Sequence, residues 1–360
     1  MLLHASADLR RPQYSASAAW SGYTMSNSTT QSTRSGGPLA AAWAVLRHVG
    51  DDGDRGLALR ALESTRVLRS GIAEIDGLRV LGSPSATLCR VRDHRDMQLD
   101  LNGKTALVTG STQGIGEAIA MALAGAGART VVNGRKAEAV HDAVTRVREE
   151  VPGANVIGVP ADVSTASGAA ELASALPEVD VLVNNVGIFE ARPALEIDDD
   201  EWRRYFEVNV LAAVRLTRTY LPGMRERGWG RVQYISSDSA VVIPAEMIHY
   251  GVSKTALLGV SRGFAKEAAG SGVTVNCVIA GPTHTGSVED FVYQLVDRSL
   301  PWEEAQREFM RVHRPQSLLG RLIEPEEIGN LVVYLASPKA SATTGAAVRV
   351  DGGYVDSILL

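Results

Sequence analysis

From Lys104 onward, short runs rich in β-branched residues alternate with longer stretches of helical periodicity, and no other feature restricts the fold so tightly. Residues 106–108, 130–132, 155–157, 179–183, 232–236 and 273–279 read as strands. Helices are expected from Ile115, from about Ala137, over 199–225 and from Ile248, and a last helix at 325–335 and a last strand at Ala347–Val350 close the unit. Strand–helix alternation of this kind demands a parallel sheet with helices on both faces. Crossovers between parallel strands are right-handed, so a Rossmann-type doubly wound α/β sheet is the economical topology. No internal repeat of solenoid period is visible.

Residues 1–96 differ from the rest. They contain no lysine, carry a Ser/Thr-rich tract at 26–35, and show helical patterns at 39–46 and 54–73 and a short strand at 78–81. The run 90–96 is charged and patternless and reads as a linker, so the boundary is placed between residues 96 and 97. A small N-terminal α/β appendage (1–96) would then precede one large domain (97–360), which suits 360 residues of which 45% are hydrophobic.

A net charge of −5 with scattered basic residues offers no cationic field, which argues against nucleic acid as a partner. Cys89 and Cys277 are far apart and lack ligand spacing, so neither a disulfide framework nor a metal site is indicated. The first residues lack an apolar core behind a basic start, and no stretch runs eighteen apolar residues without a charge. A cytoplasmic protein with no membrane partner is the expectation.

The segment Thr109-Gly110-Ser111-Thr112-Gln113-Gly114-Ile115-Gly116 lies directly after a strand and at the mouth of a helix. Missing Cβ atoms there let the backbone turn sharply and let a pyrophosphate approach the helix N-terminus. A lone glycine triplet can also be a mere tight turn, and this spacing differs from G-x-G-x-x-G; no Lys-Ser/Thr follows, so a mononucleotide P-loop is excluded. Downstream, Tyr250 and Lys254 stand one helical turn apart, with Ser237 thirteen residues before the tyrosine. A tyrosine, a nearby cation and a dinucleotide cradle together point to hydride transfer.

The stretch from Met97 to Leu360 resembles the short-chain dehydrogenase/reductase family, especially its 3-oxoacyl-carrier-protein-reductase-like branch. Its T-G-x3-G-x-G opening is matched by Thr109 to Gly116, its N-N-A-G motif by Asn184-Asn185-Val186-Gly187, and its Asn-Ser-Tyr-Lys set by Asn209, Ser237, Tyr250 and Lys254. Val186 replaces the usual alanine, and Ala280-Gly281-Pro282 departs from the usual Pro-Gly. The resemblance implies that Tyr250 is the general acid/base, its phenol lowered by Lys254 and by the oxidised nicotinamide. Lys254 would also hold the nicotinamide ribose, Ser237 would donate to the substrate oxygen, and Asn209 would position a relay water. Ser236 competes with Ser237, and the interval to Tyr250 favours Ser237.

By the same resemblance the dinucleotide would contact Gly110, Ser111, Gln113, Gly114, Ile115, Gly116, Asn185 and Gly187. Asp162 and Val163 would border its adenine, and Thr283 and Thr285 its nicotinamide amide. The end of the second strand, Val131 to Lys136, has no acid to bind a 2′-hydroxyl, and Arg135 suits the 2′-phosphate of NADP; a solvated basic loop is the alternative. Between Thr285 and Leu322 an insert with Phe291, Tyr293, Trp302 and Phe309 reads as helices with an apolar face, covering a small-molecule carbonyl or alcohol substrate or packing on the body. The family implies a homotetramer built on helices 199–225 and 248–269, with Ala212, Ala213, Ala256, Gly259 and Gly263 allowing close packing. An NAD-linked dehydrogenase of a hydroxylated metabolite and a catalytically silent nucleotide sensor are the competing functions.

Residues 1–96 are similar to a C-terminal fragment of the PLP-dependent group II decarboxylase and sphingosine-phosphate-lyase-like family. The likeness rests on Gly22-Tyr-Thr-Met25, Thr33 to Gly37, Ala42-Trp43 and residues 71–84. Complete members hold PLP on a lysine, and the first lysine here is Lys104, so no PLP is expected.

Overall fold

The computed structural model describes residues 15–17, 25–27, 66–67, 70, 78–80, 91–93 and 99–358. The chain divides into two units, Met1–Gln98 and Leu99–Leu360. In the first, Ser15–Ser17 pairs antiparallel with Met25–Asn27, and Leu78–Val80 with Val91–Asp93. The second pairing corrects the reading of 90–96 as a linker: Val91 stands opposite Val80, a β-branched pair hidden in a run dominated by charge. The helical patterns at 39–46 and over most of 54–73 lie outside the described residues.

In the second unit seven strands form one sheet: β1 (Thr105–Val108), β2 (Arg129–Gly134), β3 (Val156–Pro160), β4 (Val181–Asn184), β5 (Gly230–Ser237), β6 (Val273–Ala280) and β7 (Ala347–Val350). Every pairing is parallel and the spatial order is 3-2-1-4-5-6-7. Alternate strand residues face opposite sides. Ala106, Val108, Val181 and Val183 therefore pack with Ile119, Leu123, Val140, Val147, Ile328 and Val332 of α1 (Gly114–Gly125), α2 (Ala137–Glu150) and α9 (Pro325–Ala336). Leu107, Leu182, Val232 and Val275 pack on the other face with Leu172, Leu216, Tyr220 and Leu257 of α3 (Ala166–Ala175), α5 (Ala212–Glu226) and α6 (Ile248–Glu267). The doubly wound sheet is thus present, with two cores.

Three local outcomes differ from the sequence reading. Helix α3 was not anticipated: it is rich in Ala, Ser and Gly with only Leu172 as a large apolar anchor, although Thr165 caps it by accepting from the Gly168 amide at 3.0 Å. The helix expected over 199–225 is α4 (Asp199–Phe206), a π-turn at Glu207–Leu211 and α5, and the π-turn carries Asn209. Ala212 and Ala213 are buried in the second core, whereas Gly259 and Gly263 are exposed.

The insert forms α7 (Gly286–Leu295) and α8 (Trp302–His313), which share a small core of Val292, Ala305, Phe309, Met310 and Leu322. Strand order turns back at β1, with β2 and β3 on one side and β4 to β7 on the other. A crevice opens beyond the carboxyl ends of the strands at such a point.

Candidate active site

The turn after β1 is shaped by what glycine permits. Gly110 and Gly114 adopt φ of 61° and 58°, and a Cβ on Gly116 would lie 2.3 Å from the Gly110 carbonyl oxygen and 2.5 Å from Asn185 Nδ2. Asn185 buttresses the turn from the end of β4, donating to the carbonyls of Thr109 at 2.9 Å and Gly110 at 3.0 Å. Its own amide and that of Val186 donate to Thr109 Oγ1, which ties the two loops together. The result is a backbone cradle at the N-terminus of α1 into which a diphosphate fits.

Gly110, Gln113, Gly114, Ile115, Gly116, Arg135, Asp162, Val163, Asn185, Gly187, Thr283 and Thr285 all line one cleft of about 740 Å³. Ser111 does not. It is fully buried, donates to the Val108 carbonyl at 2.7 Å and accepts from the Asn133 amide at 3.0 Å, so it braces β1 against β2. Thr112, its neighbour, lines the cleft instead. Arg135 is exposed at the end of β2 and has no ion-pair partner among the described residues.

Ser237 ends β5, and Tyr250 and Lys254 lie one turn apart on α6; all three line the same cleft. Lys254 is buried, and its Nζ donates to the Ile235 carbonyl at 2.9 Å and lies 5.7 Å from the centre of the Tyr250 ring. Burial pulls this ammonium down to about 8, against a small upward effect of Cys277. Tyr250 in the chain by itself is shifted upward. Burial raises its phenol above the usual 10, the Ser237 hydroxyl pulls it back, and the charge of Asp238 pushes it up again. Loss of solvent is the largest effect, and Tyr250 stands as a protonated acid.

Ser236 donates to the Lys254 carbonyl at 2.9 Å, which removes it from competition with Ser237. Ser237 donates to Asp238 Oδ1 at 2.7 Å and accepts from the Ser239 amide at 3.2 Å. Burial pushes the Asp238 carboxyl up, while the Ser237 hydroxyl, the charge of Arg314 and the Ser239 amide pull it back. Asn209 is buried and does not line the cleft. It clamps the Ile188 peptide from both ends, accepting its amide at 2.8 Å and donating to its carbonyl at 3.1 Å, and donates to Ser253 Oγ at 2.9 Å. Ser253 in turn donates to the Tyr250 carbonyl at 2.7 Å, so Asn209 positions both the loop after β4 and the start of α6.

Asp238, Phe189 and Arg314 also line the cleft and were missed from the sequence. Asp238 was open to detection, as a carboxylate directly after the proposed serine. Phe189 and Arg314 sit in loops whose approach to the site is a tertiary matter. Among the described residues no group of three or more His, Cys, Asp or Glu side chains is placed to hold a metal, and no helix is long and apolar enough to cross a membrane.

With this geometry in place, the comparisons with known proteins are decisive. A family described as Enoyl-(Acyl carrier protein) reductase matches residues 110–355. The chain belongs to the short-chain dehydrogenase/reductase family. It is 48% identical over 263 residues to the uncharacterized oxidoreductase YvaG of Bacillus subtilis (strain 168), an alignment covering 73% of this chain and 100% of that protein. It is 35% identical over 261 residues to a D-beta-hydroxybutyrate dehydrogenase of Cupriavidus necator, covering 71% and 99%. L-sorbose reductase from Gluconobacter frateurii, solved in complex with NADPH and L-sorbose, superposes with a TM-score of 0.68 at 33% identity, covering 73% of this chain and 100% of that one. Membership makes this short-chain dehydrogenase/reductase an NAD(P)-dependent oxidoreductase of CH–OH and C=O groups.

Proposed function

We propose that the protein is an NADP-dependent reductase of a ketone, of the 3-oxoacyl kind or similar, with Tyr250 as the proton donor. The observation that carries this reading is the convergence of Ser237, Tyr250 and Lys254 on one cleft with the glycine cradle of α1. Bound there, the dinucleotide supplies the hydride in reduction and takes it in the reverse reaction. Tyr250, held protonated by burial, gives its phenolic proton to the carbonyl oxygen as negative charge develops. Ser237 turns its hydroxyl from Asp238 to the same oxygen. Lys254 has one N–H on Ile235 and offers the others to the ribose. Thr112 and the amides of the glycine turn take the diphosphate, while Arg135, unpaired at the end of β2, takes a 2′-phosphate.

Replacement of Tyr250 by Phe removes the transferable proton and little else. Turnover on a panel of ketones and alcohols, followed at the nicotinamide absorbance, is expected to fall by about 10²–10⁴-fold with cofactor affinity nearly intact. Unchanged turnover would refute the mechanism. The remaining parts of the proposal are a cytoplasmic homotetramer, assembled in part through the exposed Gly259–Gly263 side of α6, and a division of labour along the chain. In that division residues 97–360 carry the reaction, and residues 1–96, a PLP-enzyme-like fragment without the cofactor lysine, carry none.

A further inference from the structure

Arg314 follows α8 and lines the cleft together with Ser237, Asp238 and Tyr250. Its guanidinium lies 5.2 Å from the ring centre of Phe309 and 5.7 Å from that of Tyr354, and Nη1 donates to the His313 carbonyl at 2.8 Å. Two aromatic faces and one neutral carbonyl therefore orient the group without neutralising it. Its neighbours Arg311 and Arg321 are paired with Glu308 and Glu327, whereas Arg314 has no ion-pair partner among the described residues. The nearby Asp238 feels the charge of Arg314 but forms no ion pair with it, and its Oδ1 accepts from Ser237 Oγ and from the Ser239 amide, each at 2.7 Å.

The other cations of the cleft have separate places. Lys254 is turned to the Ile235 carbonyl beneath Tyr250. Arg135 follows β2, on the opposite side of β1 from β5 and β7, whose following segments carry Asp238 and Tyr354. Beside Arg314, the Phe309 ring meets Phe291 edge-on with centroids 6.2 Å apart, and Phe291, Phe309, Val288 and Met247 are apolar members of a cleft lining that also includes Asp238 and Asp290. An unpaired guanidinium at the edge of an apolar wall matches a ligand with a short carbon chain ending in an anion, because the planar fork suits a carboxylate and exclusion of water strengthens the contact.

We propose that Arg314 holds a carboxylate of the substrate, so that the carbonyl presented to Ser237 and Tyr250 belongs to a keto acid, and the alcohol to a hydroxy acid. This assignment rests on the oxidoreductase reading of the same cleft. It distinguishes the substrate from a neutral ketone or a sugar, neither of which has a charge for Arg314 to meet.

The test uses the full chain with NADPH and NADH and three straight-chain keto acids, 3-oxobutanoate, 4-oxopentanoate and 5-oxohexanoate, each beside its methyl ester. Wild type is expected to prefer at least one acid over its ester by about tenfold to a hundredfold in kcat/KM, the worth of a charge-assisted contact. Arg314→Gln should abolish that preference chiefly through KM for the acid and leave KM for the nucleotide unchanged; Arg314→Lys should restore part of it. Equal turnover of acids and esters by wild type, or an equal loss on both in Arg314→Gln, would overturn the proposal and make Arg314 a structural residue. Calorimetric binding of the same acids to the protein–NADPH complex separates the two claims. Acid binding that depends on Arg314 without turnover would defeat the oxidoreductase reading and leave the anion site standing, while the absence of acid-selective binding would defeat the anion site itself.

Discussion

Replacing Lys254 by Met should abolish activity and yet make the protein more stable. The side chain is 5% exposed, and its pKa falls from 10.5 to about 8 through burial. At about 1.4 kcal/mol per pH unit, the charged form is disfavoured by about 3 kcal/mol relative to the unfolded chain. Methionine of similar length avoids that penalty but loses the charge-assisted hydrogen bond to the Ile235 carbonyl, worth about 1.5 kcal/mol or more. The net expectation is a gain of at most about 1.5 kcal/mol near neutral pH, or roughly 3–6 °C in melting temperature for a unit of this size. The pH dependence carries the sign. Below about 8 both folded and unfolded chains hold the proton, so the penalty is present in full. Between about 8 and 10.5 the folded chain releases it first, the unfolded chain binds more protons, and wild-type stability rises with pH. Urea unfolding of both proteins at pH 7 and pH 10 reads this directly: the variant should lead at pH 7, with most of the gap closed at pH 10. A less stable variant at pH 7, or a gap independent of pH, would show that Lys254 is not held charged against its burial.

Gly116→Ala drives a Cβ to 2.3 Å from a backbone oxygen, so the turn must open; a stability loss of about 1–3 kcal/mol and at least a tenfold weaker NADPH titration are expected, and an unchanged titration would remove the turn from the cofactor site. Arg135→Ala should weaken NADP by about tenfold to a hundredfold and leave NAD nearly unaffected, since only NADP carries the 2′-phosphate; equal changes for both would show that Arg135 does not read it. A chain beginning at Met97 should keep full reductase activity and a similar melting temperature, and loss of either, or PLP binding by the full chain, would make residues 1–96 a working part of the enzyme.

Much of the site is legible in the sequence. Thr109 to Gly116 announces a cradle because only glycine tolerates the backbone and contacts found at Gly110, Gly114 and Gly116. The Ser237, Tyr250 and Lys254 spacing survives because Tyr250 and Lys254 share one helix and Ser237 ends the strand before it. Ser111 misled because a turn hydroxyl in a motif does not reveal whether it faces the ligand or the neighbouring strand; here it braces β2.

The strand–helix alternation and the period-two switch of strand residues between two cores are local properties, and the sequence by itself determined them, together with the glycine cradle and the basic end of β2. Tertiary structure alone decided what depends on distance and solvent. It buried Lys254 deeply enough to bring it to about 8 and raised the phenol of Tyr250. It turned Asn209 into a clamp on Ile188, and it carried Arg314, from a loop far along the chain, to the cleft of Tyr250. Desolvation and long-range approach are set by the packing of the whole sheet and its helices, and no window of sequence contains them.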